Sequence, residues 1–123
     1  MNKNKVLIIE DDADLRRGLN VRLREANYAT TFAEDAVMAL SIARKEEPDL
    51  ILLDLGLPGF DGFLVLDRIK QIPSMACVPV IVVSARDPKT NEKRALEAGA
   101  EAFFQKPVDN KELMSAIQRA LFK

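Results

Sequence analysis

Residues 48–62 of the 123-residue chain read PDLILLDLGLPGFDG. Four consecutive apolar residues, Leu50–Leu53, end at the acidic residue Asp54, and a loop rich in glycine and proline follows. A short, continuous apolar run of this kind is typical of a parallel β-strand buried on both faces. The stretch therefore predicts a central strand whose carboxyl end presents Asp54 on an exposed loop.

Similar apolar runs lie on both sides of this strand in the sequence. They cover residues 6–9, 29–33, 78–83 and 102–104, and the segments between them have the spacing of amphipathic helices. Five β–α units in strict alternation predict an α/β protein with a parallel sheet and helices on both faces. Five strands are too few for a closed eight-stranded barrel, so we expect a doubly wound open sheet.

Helix signals agree with these boundaries. Asp87 before Pro88 and Asp109 three residues before Glu112 predict helix starts, and Gly99 predicts a helix end. In the first helix leucines recur every fourth residue, so we expect them to face the core and the arginines between them to face solvent; the leucines are Leu15, Leu19 and Leu23.

The composition excludes several classes of site. Lysine and arginine number 18, aspartate and glutamate 19, and the net charge of −1 argues against non-specific nucleic-acid binding. The absence of histidine excludes a histidine-based triad and a phosphohistidine on this chain, and the single cysteine, Cys77, excludes an internal disulfide. With no apolar run near the roughly 20 residues of a membrane span, we expect one cytoplasmic domain over residues 1–123 and no membrane contact.

In an open parallel sheet the functional crevice lies beyond the carboxyl ends of the strands. Those ends carry Glu10, Asp11, Asp54, Ser84 and Lys106. Two carboxylates about 4 Å apart repel by roughly 4 kcal/mol, so three of them require a cation in addition to the lysine. An all-oxygen site suits Mg²⁺, and a metal, a lysine and a hydroxyl together suit a phosphoryl group. Because histidine is absent, the expected nucleophile is a carboxylate, and Asp54 is the best placed.

Four separated motifs resemble those of the response-regulator receiver domains of two-component signal transduction. They are VLIIEDD at residues 6–12, PDLILLDLGLPGFDG at 48–62, VPVIVVSA at 78–85 and FQKP at 104–107. The resemblance covers essentially the whole chain, with the motifs in the same order and at the same spacings. It implies the flavodoxin-like (βα)5 fold of chemotaxis regulators, with strand order 2-1-3-4-5.

The resemblance also implies a function. Asp54 would accept a phosphoryl group from a phosphohistidine on a partner histidine kinase or phosphotransfer protein. Mg²⁺ would be held by Glu10, Asp11, Asp54 and the backbone carbonyl of Gly56. The chain would be a switch and not an enzyme, since it would catalyse only its own phosphorylation and dephosphorylation.

Further site residues follow from the same resemblance. Lys106 would contact the phosphoryl oxygens, and its bond to Pro107 would be cis. Ser84 would move to bond the phosphate, Phe103 would turn inward behind it, and Ala85 would leave room for that movement. The altered surface would then bind a downstream target or output domain that the sequence does not name.

Three other interpretations compete with this one. A phosphatase of the haloacid-dehalogenase type needs a second aspartate two residues after its nucleophile, where this chain has Gly56. A nucleotide- or flavin-binding module needs a glycine-rich loop after the first strand, where this chain is acidic. A degenerate receiver that only binds partners is not favoured, because every residue needed for phosphorylation is present.

Overall fold

The computed structural model describes residues 3–122. Its five strands form one parallel sheet in the order β2-β1-β3-β4-β5, which confirms the predicted fold class and strand order. The strands are β1 (Lys5–Ile9), β2 (Ala29–Ala33), β3 (Leu50–Leu53), β4 (Val80–Ser84) and β5 (Ala102–Gln105).

Helices cover both faces of the sheet. They are α1 (Ala13–Glu25), α2 (Ala36–Glu46), α3 (Gly62–Gln71), α4 (Pro88–Glu97) and α5 (Asn110–Leu121), with a short 3₁₀ turn at Pro73–Met75. Alternate strand residues pack against α2, α3 and α4 on one face, and against α1 and α5 on the other. This explains the apolar runs, because both faces of the central strands are buried.

An aspartate caps the amino end of each α-helix in the described chain. In every case a side-chain oxygen accepts a hydrogen bond from a backbone N–H of the first helical turn, which satisfies a donor that the helix itself leaves unpaired. The capping residues are Asp12, Asp35, Asp61, Asp87 and Asp109. All five lie at the carboxyl-terminal edge of the sheet, since each helix there follows a strand.

The loop after β3 is closed by a tight backbone approach. The N–H of Gly62 donates to the carbonyl of Leu55 at 3.2 Å. A Cβ atom at position 62 would lie 2.3 Å from the Cα atom of Leu55, so this position admits only glycine without a backbone shift. The loop from Asp54 to α3 is thereby drawn back onto the end of its own strand.

Two predictions of local structure are wrong in detail. The fourth strand begins at Val80 and not at residue 78, because the N–H of Val78 bonds the carbonyl of Met75 in the preceding turn. In α1 only Leu23 of the predicted leucine stripe is buried; Leu15, near the helix start, is 45% exposed. No helix within residues 3–122 is long and apolar enough to cross a membrane.

Candidate functional site

The sheet brings the predicted site residues to one edge. Glu10 directly follows β1, Asp54 follows β3, Ser84 ends β4 and Lys106 follows β5. Backbone hydrogen bonds continue the sheet beyond the strand ends: the N–H of Asp54 donates to Ile9 at 3.0 Å, and that of Lys106 donates to Ser84 at 2.8 Å. The four side chains therefore have fixed starting points on adjacent strands.

Lys106 lies between two carboxylates. Its Nζ atom is 2.6 Å from Oε1 of Glu10 and 3.4 Å from Oδ2 of Asp54. Glu10 and Asp54 are buried, with 3% and 8% of their surface exposed, so these ion pairs lie largely out of water. The Lys106–Pro107 peptide bond is cis, as the resemblance implies.

Three acidic residues converge beside this lysine. One oxygen each from Glu10, Asp11 and Asp54 lies within 4.8 Å of the other two, a cluster that can hold a metal ion. All the donors are carboxylate oxygens, which is the ligand chemistry of hard cations such as Mg²⁺ and not of Zn²⁺ or copper. Asp11 is exposed, so the cluster is open on its solvent side.

The electrostatics of the pocket raise two pKa values. Burial raises the pKa of Glu10; the nearby Asp54 carboxylate adds to the rise, and the hydrogen bond from Lys106 opposes it. Burial alone would lower the pKa of Lys106, but its hydrogen bond to Glu10 and the charge of Asp54 raise that pKa overall. The pocket thus holds more negative charge than its one lysine neutralises, which favours an added cation.

Gly56 leaves open space next to Asp54. Its N–H donates to Oδ1 of Asp54 at 3.0 Å and orients that carboxylate. A Cβ atom at position 56 would make only ordinary contacts, 3.6 Å and 3.9 Å from the two carboxylate oxygens. The carboxylate is therefore held from the backbone side, while no side chain at position 56 covers it. The role of the Gly56 carbonyl as a metal ligand stays a prediction.

The predicted switch residues, Ser84, Ala85 and Phe103, differ in how far they are buried. Ser84 is 1% exposed, and its Oγ accepts a hydrogen bond from the N–H of Arg86 at 3.1 Å. Ala85 is exposed, and Phe103 is half-buried against the core on the α2, α3 and α4 face. Their movement on phosphorylation stays a prediction.

Three arginine contacts near the site were not predicted from the sequence. The Arg94 guanidinium lies 3.8 Å from the centre of the Phe63 ring and that of Arg86 lies 5.7 Å from it, so one buried ring contacts two cations. Arg16, which we expected on a solvated helix face, instead donates to the carbonyl of Glu10 at 2.9 Å. None of the three has a sequence signal. The two Phe63 contacts join segments that are distant in the chain, and the Arg16 contact depends on its side chain folding back to the backbone of Glu10, six residues earlier. Asp12 caps the amino end of α1, and Cys77 is an exposed thiol.

Comparison with known proteins decides the family. The sequence model of the response regulator receiver domain matches residues 6–118. The chain belongs to this family. As a receiver domain, it has a phosphorylatable aspartate and an acidic cluster that can hold a metal ion, and both are compatible with a phosphorylation-activated switch.

Similar curated proteins are response regulators. The receiver is 38% identical over 117 residues to the transcriptional activator protein IrlR of Burkholderia pseudomallei, covering 95% of this chain and 50% of that protein. It is 33% identical over 114 residues to the response regulator PleD of Caulobacter vibrioides, covering 93% of this chain and 25% of that one. The chain thus spans a half and a quarter of the length of these two relatives.

Solved structures show the same architecture. A CheY-like response regulator receiver domain protein from Methanospirillum hungatei superposes with a TM-score of 0.91 at 26% identity, covering 98% of this chain and 94% of that one. The receiver domain of the sensor histidine kinase PA1611 from Pseudomonas aeruginosa, solved with a magnesium ion in its active-site cleft, has a TM-score of 0.89 at 26% identity. That match covers 99% of this chain and 100% of the other.

Proposed function

We propose that this receiver is a switch in which Asp54 accepts a phosphoryl group from a phosphohistidine on a partner kinase or phosphotransfer protein. The observation that carries the proposal is the pairing of Asp54 with Lys106, 3.4 Å apart, inside a three-carboxylate cluster. This chain has no histidine, so the phosphohistidine lies outside these 123 residues. We infer a cytoplasmic location and a single receiver unit over residues 1–123 from the same family membership.

Each residue has a separate task in the transfer. An oxygen of Asp54 forms the new P–O bond as the P–N bond of the donor breaks, and the leaving imidazole takes up a proton. Lys106 places its ammonium where negative charge on the phosphoryl oxygens is stabilised. The N–H of Gly56 keeps the Asp54 carboxylate oriented throughout. These groups act once per phosphorylation, so we propose a switch and not a turnover enzyme.

Mg²⁺ is the metal that suits the site best. Glu10, Asp11 and Asp54 would hold it, together with the Gly56 carbonyl, because their donors are all oxygen and the cluster is open to water. When bound, it supplies positive charge to the phosphoryl oxygens that Lys106 alone does not neutralise. The magnesium in the related receiver domain of PA1611 supports this choice.

A groove beside the site gives the donor protein a place to approach. It measures about 520 Å³ and lies between α1 and the segment after β5, and its lining includes Glu10 and Lys106 together with Leu15, Leu19 and Pro107. The 45% exposure of Leu15 provides apolar surface next to the reactive groups.

To transmit a signal, phosphorylation of Asp54 must change a surface elsewhere on the domain. Ser84 and Phe103 would follow the phosphoryl group into the space that Ala85 leaves, and this would alter the surface formed by α4, β5 and α5. A downstream protein or attached output domain would bind the altered surface. The transcriptional relatives support an output of this kind.

Intact-mass analysis tests the proposal. We expect incubation with acetyl phosphate and Mg²⁺ to add one phosphoryl group, about 80 Da, to the wild-type protein. The addition should disappear in Asp54→Ala and in excess EDTA, and persist in Asp67→Ala, which removes an exposed aspartate of α3. Equal addition in Asp54→Ala and the wild type would disprove the assignment of Asp54.

A further inference from the structure

We propose that Arg16 is a positioning residue for the metal site and acts by fixing the backbone that joins Glu10 to Asp11. The inference deepens the proposed function and rests on it. Nη1 of Arg16 donates to the carbonyl oxygen of Glu10 at 2.9 Å. That carbonyl belongs to the peptide unit between the two acidic residues, so the bond sets the plane from which both side chains leave.

Two further contacts hold the Arg16 guanidinium in place. Nη2 lies 3.5 Å from a carboxylate oxygen of Glu34, and the guanidinium carbon lies 4.8 Å from the centre of the Phe32 ring. As a result, the Arg16 side chain is only 15% exposed, whereas that of its neighbour Arg17 is 72% exposed and pairs with Asp14 on the helix surface. Arg16 is thus a fixed support, unlike an ordinary surface arginine.

Glu10 is held at each of its polar atoms. Its N–H donates to the carbonyl of Ala33 at 3.0 Å, and its carbonyl accepts from Arg16. Its two carboxylate oxygens accept from Nζ of Lys106 at 2.6 Å and from the N–H of Asp12 at 3.2 Å. Without Arg16, the Glu10 carbonyl loses its hydrogen bond from Nη1. That hydrogen bond is the contact that fixes the Glu10–Asp11 peptide plane.

Most of the contacts that hold Arg16 and Glu10 come from the end of β2, a strand that contributes no predicted site residue. Phe32 and Ala33 are its last residues and Glu34 directly follows it, and all three contact either Arg16 or Glu10. The end of an edge strand therefore holds the turn that carries two of the three acidic ligands. Groups that orient metal ligands typically change metal affinity 10- to 100-fold when removed.

The direction of the change in Mg²⁺ affinity on removing Arg16 distinguishes a positioning role from a simple effect of its charge. Removing a cation near an acidic metal site increases the net negative charge and would by itself tighten Mg²⁺ binding. A positioning role predicts the opposite. We expect Arg16→Ala to raise the Mg²⁺ dissociation constant at least about tenfold. Arg17→Ala removes the same charge from the adjacent residue and should leave the constant unchanged within about twofold, or slightly lower.

Isothermal titration with MgCl₂ in the absence of any phosphodonor measures these constants. Phe32→Leu provides a second variant without a change of charge; it removes the ring under the guanidinium from a side chain that is 46% exposed, and should weaken binding about two- to fivefold. Unchanged or tighter binding in Arg16→Ala overturns the inference. If Arg16→Ala does not fold, wild-type affinity in Phe32→Leu overturns it instead.

Phosphorylation by acetyl phosphate at increasing Mg²⁺ concentration distinguishes positioning from general structural damage. Positioning predicts that Arg16→Ala needs at least about tenfold more Mg²⁺ for half-maximal rate and regains most of the wild-type rate at saturation. A lower maximal rate with an unchanged Mg²⁺ requirement would contradict it. Failure of the proposed function has a different signature, because the wild type itself would then neither bind Mg²⁺ nor gain the phosphoryl group.

Discussion

Replacing Lys106 with methionine tests the charge balance of the site. Methionine keeps much of the length and apolar volume of the lysine stem but removes the ammonium that pairs with Glu10 and Asp54. The two carboxylates then face each other without a cation between them. Because the folded-state pKa of Lys106 is raised, the wild-type lysine is fully charged at about pH 7 and its stabilising contribution is fully present there. That contribution is lost only as the pH rises through this elevated pKa.

The structure gives the size of the effect. At an effective dielectric constant of 20, the ammonium attracts Asp54 at 3.4 Å by about 5 kcal/mol. The carboxylates, within 4.8 Å, repel each other by at least about 3.5 kcal/mol. Desolvation of the wild-type lysine offsets part of the attraction, and breaking a buried pair typically costs 3–5 kcal/mol. Since the Lys106 side chain keeps 18% exposure, we expect a loss of about 3 kcal/mol in the free energy of unfolding.

Urea unfolding followed by far-UV circular dichroism measures this loss, since the chain has no tryptophan for fluorescence. Mg²⁺ at about 100 times its dissociation constant stabilises any binding protein by about 2.7 kcal/mol. At one fixed Mg²⁺ concentration the variant should gain more than the wild type, because its site lacks the competing ammonium. The control is Lys93→Met, which breaks an exposed pair with Glu97 and should change stability by less than about 1 kcal/mol. The reasoning is refuted if Lys106→Met is as stable as the wild type, or if Mg²⁺ stabilises both equally.

Three further predictions concern backbone space and protons. Gly62→Ala forces a Cβ atom to 2.3 Å from Leu55, so thermal unfolding should show a loss above about 3 kcal/mol; a smaller loss would mean that the loop shifts easily. Gly18→Ala, in the middle of α1 with nothing within 4 Å, should stabilise by about 0.5–1 kcal/mol, and a decrease would contradict the open space. Burial raises the pKa of Glu10, so protons should compete with Mg²⁺ and its affinity should fall between about pH 8 and pH 5. Calorimetric titration at both pH values checks this, and equal affinities would contradict it.

The sheet and the centre of the site could be predicted because both depend on topology. Once the apolar runs are recognised as parallel strands, the residues after β1, β3 and β5 must meet at one edge, and these are Glu10, Asp54 and Lys106. The support around them could not be predicted. Whether a long side chain such as Arg16 points to solvent or folds onto the backbone depends on neighbours like Phe32, which only the three-dimensional structure reveals.

The same limit explains the wrong prediction for the first leucine of α1. Four-residue spacing predicts which side chains share a helix face but not how far the core extends along the helix. Leu23 lies over the sheet and is buried, whereas Leu15 lies at the helix start beside the open groove.

The aspartate caps affect how fast charged molecules approach the site. Five capping carboxylates, added to the acidic cluster, give this edge of the sheet a negative field, and they offset the attraction that helix amino ends otherwise exert on anions. Such a field concentrates divalent cations and slows the approach of small free anions, and both effects weaken as salt is added. A phosphoryl group that is attached to a docked protein does not have to diffuse through that field as a free anion. On the proposed function, the helix caps would therefore slow the reaction with dissolved phosphate compounds more than the reaction with a docked protein donor.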